Sequence, residues 1–252
     1  MAKILVLLCV FFSLKSYAQR YILVSDLDDT VKITNVSDFS EAVRNALFST
    51  KAFQSMPKLF SIMGEYVEDI YILTASPSFL NSRVDHFLAK NKIQVREVFL
   101  RNLFRDKDKY TYKFSTLERI KDENPDAQMI LLGDDVEIDA KVYKDFEQKY
   151  PENIAAIYIH TVKKNKLPVG IKSFYTAYDI ALEEYLAKRM KYSDSFGVGK
   201  DVLISTKMDQ YLPHFVYCPS KESDFKDYSL NGLSLITRQV ERKILSYCRS
   251  IQ

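Results

Sequence analysis

Between Tyr21 and Ile159, short apolar runs alternate with stretches of helical period, and that alternation sets the class of fold. The runs are Tyr21 to Ser25, Asp69 to Thr74, Val95 to Leu100, Met129 to Leu132 and Ile154 to Ile159. Their length suits strands rather than helices. Between them lie helical stretches at Pro57 to Gly64, Phe79 to Asn91, Tyr112 to Asn124 and Ile138 to Tyr150. Pro57 opens the first and Gly64 closes it, while Pro125 and Pro151 stop the last two. Asp38, with Glu41 three residues later, is placed to cap a further helix. Strands joined through helices build βαβ units, so the expected fold is α/β, a parallel sheet covered on both faces.

The rhythm changes after about Lys166. Phe174 to Lys191 reads as one amphipathic helix. Leu233, Ile236, Val240, Ile244 and Cys248 recur at helical spacing and predict a last one. The chain between these helices reads as irregular. At the other end, Met1 to Ala18 has the order of a secretory signal peptide: Lys3, an apolar run from Ile4 to Leu14, then small residues at Ser16 and Ala18. The expected organisation is a signal peptide over 1–18, a sheet domain over 19–166, and a mainly helical extension over 167–252 packed on that core. Export with cleavage near Ala18, to a periplasmic or secreted location, is the expected localisation. Cys218 and Cys248 then remain, compatible with one disulfide or with two buried thiols, and spacing does not decide between them.

Composition excludes several classes. With 47% apolar and 27% charged residues in 252, the chain buries a substantial core and is not a disordered one. A net charge of +3 is too slight to indicate nucleic-acid binding, and none is expected. No apolar run approaches the roughly 18 residues of a membrane span.

The chemistry-bearing residues sit at strand ends. Ser25-Asp26-Leu27-Asp28-Asp29-Thr30 puts three acids directly after the first strand. The fourth strand runs into Gly133-Asp134-Asp135, with Asp139 a few residues on. In open α/β sheets ligands bind at the carboxyl ends of strands. Carboxylates crowded there repel one another unless a cation intervenes, and oxygen ligands of this kind suit Mg²⁺. The second strand ends Thr74-Ala75-Ser76-Pro77, whose hydroxyls are donors suited to a phosphate oxygen. Lys113, near the start of a predicted helix, is suited to balance phosphate or carboxylate charge.

Taken in order, the Asp-x-Asp-x-Thr turn, the hydroxyl after strand two, the later Lys and the Gly-Asp-Asp resemble the haloacid dehalogenase-like (HAD) phosphohydrolases. Closer still, Asp28-Asp29-Thr30-Val31-Lys32, Leu73-Thr74-Ala75-Ser76-Pro77, Phe99-Leu100-Arg101 and Gly133-Asp134 with Asp139 and Tyr143 resemble the catalytic domain of the actin-patch phosphatidate phosphatases and their bacterial relatives. The resemblance runs from about Tyr21 to His160. His160 stands where that pattern expects Arg, and Asp135 where Ser is usual.

The resemblance implies a Rossmann-like three-layer sandwich, HAD-like, with a central parallel sheet; Val31 to Glu68 and Ala75 to Tyr112 are too short to hold a large cap domain, and the periodicity after Lys166 adds a helical C-terminal extension. The resemblance also implies a Mg²⁺-dependent phosphatase, a phosphoric monoester hydrolase, working through an aspartyl-phosphate. Asp26, Asp28, Thr74 and Lys113 are then catalytic. Asp26, Asp134 and the backbone carbonyl of Asp28 are metal ligands. Asp135 and Asp139 order metal-bound water or Lys113, and Ser76 and Arg101 are substrate contacts. Asp28 separates such an enzyme from a phosphoacceptor switch, which lacks an acid two residues after the first Asp. The substrate implied is phosphatidate or a related lipid phosphate; soluble or nucleic-acid-end phosphates are the alternative, and a regulatory or binding module on the same sheet is the non-enzyme one. From Arg83 to Lys121 there are eleven basic residues against five acids. Arg101, Arg105, Lys107 and Lys109 there suit an anionic membrane surface, and Phe99, Leu103, Phe104 and Tyr110 interleave as either lipid contacts or core.

Overall fold

The structure is a computed structural model that describes residues 19–38, 49–226 and 232–251. The predicted signal peptide and the helix capped by Asp38 lie outside the described residues.

Six strands form one parallel sheet: β1 (Arg20–Ser25), β2 (Asp69–Pro77), β3 (Glu97–Arg101), β4 (Ala127–Asp134), β5 (Ile154–His160) and β6 (Lys172–Phe174). Their order is β3-β2-β1-β4-β5-β6. The chain thus winds outward from β1 to β3, returns to the other side of β1 for β4, and winds outward again. β1 and β4 flank the point where the winding reverses, and a crevice opens outside their carboxyl ends. Ser25 pairs with Leu132, so the two strands end at the same level.

Alternation along the strands sorts the core into two layers. Ile22 and Val24 of β1 face the cluster that includes Tyr71, Leu73, Met129 and Leu131. On that side lie α3 (Lys109–Glu123) and α4 (Asp139–Lys149), through Leu117, Ile120, Val142 and Phe146. Leu23 faces the opposite cluster with Ile72, Ile130 and Leu132. On that side lie α1 (Met56–Met63) and α2 (Asn81–Lys90), with Leu59, Phe60, Val84 and Phe87. The sheet is therefore covered on both faces, as expected for parallel strands. Between β2 and β3 the chain holds only a 3₁₀ turn and α2.

The C-terminal third differs from its sequence reading in two places. The predicted helix from Phe174 to Lys191 is divided. Phe174 ends β6, which pairs with β5, so the sheet extends past the expected boundary at 166. The helix that follows, α5 (Ala177–Leu186), starts at a capping box formed by Thr176 and Asp179. The segment read as irregular contains α6 (Tyr192–Ile204). Gly197 and Gly199 conceal it, since glycine opposes a helix interior by roughly 1 kcal/mol. Packing overrides that preference: a Cβ on Gly199 would lie 2.7 Å from the Tyr178 ring, so glycine lets α6 approach α5 closely. The last helix, α7 (Ser234–Ile251), forms as predicted. Ile180, Val198, Val202, Ile236, Val240 and Ile244 bury in the same cluster as Leu23. Cys218 and Cys248 are bridged, with Cα atoms 5.5 Å apart, tying the chain before α7 to its last turn. By chain entropy, closing a loop of 30 residues contributes about 3.5 kcal/mol.

Candidate active site

The two acidic strand ends meet because β1 and β4 are neighbours. The Asp26 N–H donates to the Leu132 carbonyl at 2.8 Å, continuing the ladder one residue past β1. Asp26, Asp134 and Asp139 converge, with one carboxylate oxygen of each within 4.8 Å of the others. All three are buried. Lys113, fully buried on α3, donates to Asp26 Oδ1 at 2.8 Å and to Asp139 Oδ1. One ammonium thus faces three carboxylates, a deficit of positive charge in a site with almost no solvent.

The titration of these groups reflects that deficit. Burial pushes Asp26 well above the usual carboxylate range, against the pull of Lys113, and repulsion from Asp139 and Asp134 adds to the rise. Burial and the Asp139 charge do the same to Asp134. Burial opposes charge on Lys113, but Asp139 and Asp26 outweigh it and hold the group as an ammonium.

Asp134 carries the clearest sign of a missing partner. Its Oδ1 accepts from the backbone N–H groups of Val136 and Glu137 at 2.6 and 2.9 Å. Its Oδ2 is buried and, among the described residues, has no hydrogen-bond partner. An unsatisfied carboxylate oxygen beside a second carboxylate is costly in a dry site and is well matched to a hard cation. The residues present therefore fit a divalent metal, held by Asp26 and Asp134. Asp139 is turned to Lys113 and serves it as counterion. Asp139 also packs against Gly133, where a Cβ would lie 2.5 Å from the Asp139 Cβ. Gly133→Ala is expected to displace Asp139, and Lys113 with it, lowering turnover by about tenfold or more, since small misplacements at a reacting centre are costly. Steady-state assay beside a circular-dichroism melt checks it; unchanged kinetics would show that Asp139 has room to move.

Asp28 lies apart from this trio and is only partly buried. Its Oδ1 accepts from the Thr34 hydroxyl at 2.7 Å, and its Oδ2 from the Ser76 hydroxyl at 2.6 Å and from Thr74 at 3.3 Å. Asp26 and Asp28 are thus held in opposite ways, one by a buried ammonium and the other by neutral hydroxyls. The loop between them and β2 is built by Asp29, at φ 55°, whose carboxylate accepts from the N–H groups of Thr34, Asn35 and Val36 at 2.7–2.9 Å. Burial pushes Asp29 up to about 6 even so. His160 completes the support: its Nδ1 lies 2.6 Å from the Asp29 carbonyl, and its ring stacks on Phe174 and meets the edge of Phe53. Burial lowers the imidazole below its ordinary value, which favours the neutral ring.

The sequence-predicted residues therefore separate into groups. Asp26, Asp134, Asp139 and Lys113 come together, with Asp28, Thr74 and Ser76 alongside. Asp135 does not join them. Its carboxylate accepts from the N–H groups of Val162, Lys163 and Asn165 at 2.8–2.9 Å, fastening the loop after β5. Arg101 ends β3 at the same sheet edge, with its terminal nitrogen 3.5 Å from the Asp106 carbonyl. Ser76 faces Asp28 rather than open space. Thr34 was not foreseen: a lone hydroxyl six residues after Asp28 carries no spacing signal that separates it from an ordinary loop residue.

A doubly wound sheet with this turn, this lysine and this second acidic strand end defines a HAD-like phosphohydrolase. Residues 21–161 match the family model described as the phosphatidate phosphatase APP1 catalytic domain, and the chain belongs to that family. That family is one of phosphoric monoester hydrolases. No curated protein matches the sequence. Among solved structures, a chain of the Pnkp1/Rnl/Hen1 complex is 15% identical with TM-score 0.39, over 62% of this chain and 46% of that one. The chain therefore spans less than half the length of that relative. Phosphoserine phosphatase from T. onnurineus is 12% identical with TM-score 0.40, over 69% and 96%. Class C acid phosphatase from Bacillus anthracis is 14% identical with TM-score 0.35, over 77% and 83%.

Proposed function

We propose that this protein is an exported, Mg²⁺-dependent phosphatase of phosphatidate or a related lipid phosphate, working through an aspartyl-phosphate on Asp26 at a membrane surface. Asp134 Oδ2, without a hydrogen-bond partner among the described residues and set beside Asp26 and its buried lysine, is the observation that carries the reading. Family membership supports the lipid substrate. The signal-like residues 1–18 and the disulfide support export, since such bridges persist in oxidising compartments.

Asp26 attacks phosphorus as the P–O bond to the leaving alcohol breaks. Asp28 gives its proton to that leaving oxygen, then takes one from the water that attacks the aspartyl-phosphate, which frees Asp26 and inorganic phosphate. Thr34 and Ser76 suit both halves of this cycle. A hydroxyl donates to a carboxylate and accepts from a carboxylic acid, so the same two groups hold Asp28 in either protonation state. Lys113 opposes the rise that burial imposes on Asp26, favouring its carboxylate, and with Thr74 holds the transferring group. Asp26, Asp134 and the Asp28 carbonyl would hold Mg²⁺, which when bound would neutralise the phosphate charge.

The test is phosphate release from phosphatidate vesicles beside soluble phosphomonoesters. Phosphatidate is expected to be preferred, with activity lost on chelation and restored by Mg²⁺. Full activity after exhaustive chelation, or turnover of soluble esters alone, overturns the reading.

Metal removal also has a signature in stability. Asp26 and Asp134 have raised pKa values in the folded protein, so their contribution is favourable below the unfolded carboxylate range and is lost as pH rises through the folded values. Mg²⁺ offsets that loss because it binds the ionised forms. The increase in Tm on adding Mg²⁺ is therefore expected to be larger at pH 8 than at pH 5. An increment independent of pH would place the ion elsewhere.

A further inference from the structure

Two aromatic side chains stand in solvent at one corner of the sheet. Phe104 is 101% exposed and Phe79 74%, with Leu103 beside them at 49%. The other apolar residues of the basic stretch do not share this: Phe99 is buried and Tyr110 stacks on Phe114. The register explains the pairing. Pro77 of β2 lies opposite Arg101 of β3, so the chains leading to Phe79 and to Leu103-Phe104 leave neighbouring strands at the same level. That level is the carboxyl edge, where Ser76 holds Asp28.

Neither tip is loose chain. Phe79 sits in a 3₁₀ turn anchored by the buried Leu80. The loop after β3 is knotted by Asn102, whose carbonyl accepts from Asp106 N at 2.9 Å and whose side chain accepts from Phe104 N at 3.0 Å. The Asp106 carboxylate in turn accepts from the Asn102 N–H at 2.6 Å. The knot presents Phe104 outward, against the preference of an aromatic ring for burial.

The charges of the same loop are sorted. Asp106 is taken up by Asn102, and Asp108 caps α3 through Thr111. Arg105 and Lys107 are exposed and, among the described residues, make no ion pair. Projecting rings beside uncommitted cations match a bilayer interface, where rings enter the acyl boundary and cations meet anionic headgroups.

We propose that Phe79 and Phe104, flanked by Arg105 and Lys107, are an interfacial anchor that seats the mouth of the active site on an anionic bilayer. This rests on the lipid-phosphate reading but is tested without turnover. The mature protein, from Gln19 onward, is sedimented with phosphatidylcholine vesicles and with phosphatidylcholine–phosphatidylglycerol vesicles, neither of which contains substrate. Wild type is expected to bind the anionic vesicles and to release as salt is raised. Phe79→Ser and Phe104→Ser are each expected to weaken binding by about tenfold, from the apolar area no longer buried. Arg105→Glu with Lys107→Glu is expected to abolish the preference for anionic vesicles. All these variants are expected to keep wild-type kcat/KM on p-nitrophenyl phosphate, which also shows that they are folded. Vesicle binding unchanged by the aromatic substitutions, or absent in wild type, overturns the anchor. Hydrolysis of phosphatidate in detergent micelles reports separately on the substrate, so the two readings fail by different results.

Discussion

Asp26→Asn is expected to lower turnover on every phosphomonoester by on the order of 10⁴-fold or more, because the nucleophile and a cation ligand are lost together. The substituted amide keeps the shape, and Lys113 retains Asp139 as its second partner. The protein should therefore fold, and a circular-dichroism spectrum establishes that it does. Asp28→Asn gives the contrast. It leaves the Asp26–Lys113–Asp139 arrangement intact and is expected to cost about 10²–10⁴-fold, as for loss of a general acid and base. Beryllofluoride should be captured by Asp28→Asn and not by Asp26→Asn. Comparable turnover in Asp26→Asn and wild type would remove the aspartyl-phosphate from consideration.

The second large effect is expected on stability. Lys113→Met replaces a fully buried ammonium with a side chain of similar length and leaves Asp26 and Asp139 without their cation. Breaking a buried pair in this way costs about 3–5 kcal/mol. The cost should depend on pH with a defined sign. Without Lys113 the folded-state pKa values of both carboxylates rise further, so the variant loses more stability as pH climbs above the unfolded carboxylate range. Denaturant melts of the metal-free proteins at pH 5 and pH 8 measure this. A deficit equal at both values would mean that Lys113 acts through packing and not through charge.

Much of this site was legible because acids at the ends of apolar strands have few structural uses in combination. Asp26, Asp28, Asp134, Asp139 and Lys113 were all named from motif and spacing. The misreadings arose where local preference and packing disagree. Gly197 and Gly199 argue against a helix, yet Gly199 sits in one because Tyr178 leaves no room for a Cβ. Phe174 belongs by pattern to the helix after it, yet it pairs with His160 as the last residue of a sixth strand.

Asp134 and Asp135 show the division most clearly. The sequence determined that two acids follow β4, that strands alternate with helices, and that the residue types for phosphoryl transfer are present. It kept both acids at the site, Asp134 as a metal ligand and Asp135 as an orderer of metal-bound water, and did not show that Asp135 turns away. In the structure Asp134 turns into the crevice beside Asp26, while Asp135 fastens the backbone of Val162, Lys163 and Asn165. Successive side chains leaving a strand point to opposite sides, and which side is the crevice depends on the neighbouring strand. The same holds for Phe99 and Phe104, two phenylalanines five residues apart in one basic stretch. One is core and the other is solvent-exposed, because burial depends on what stands opposite a side chain across the fold, and the order of strands in the sheet supplies that.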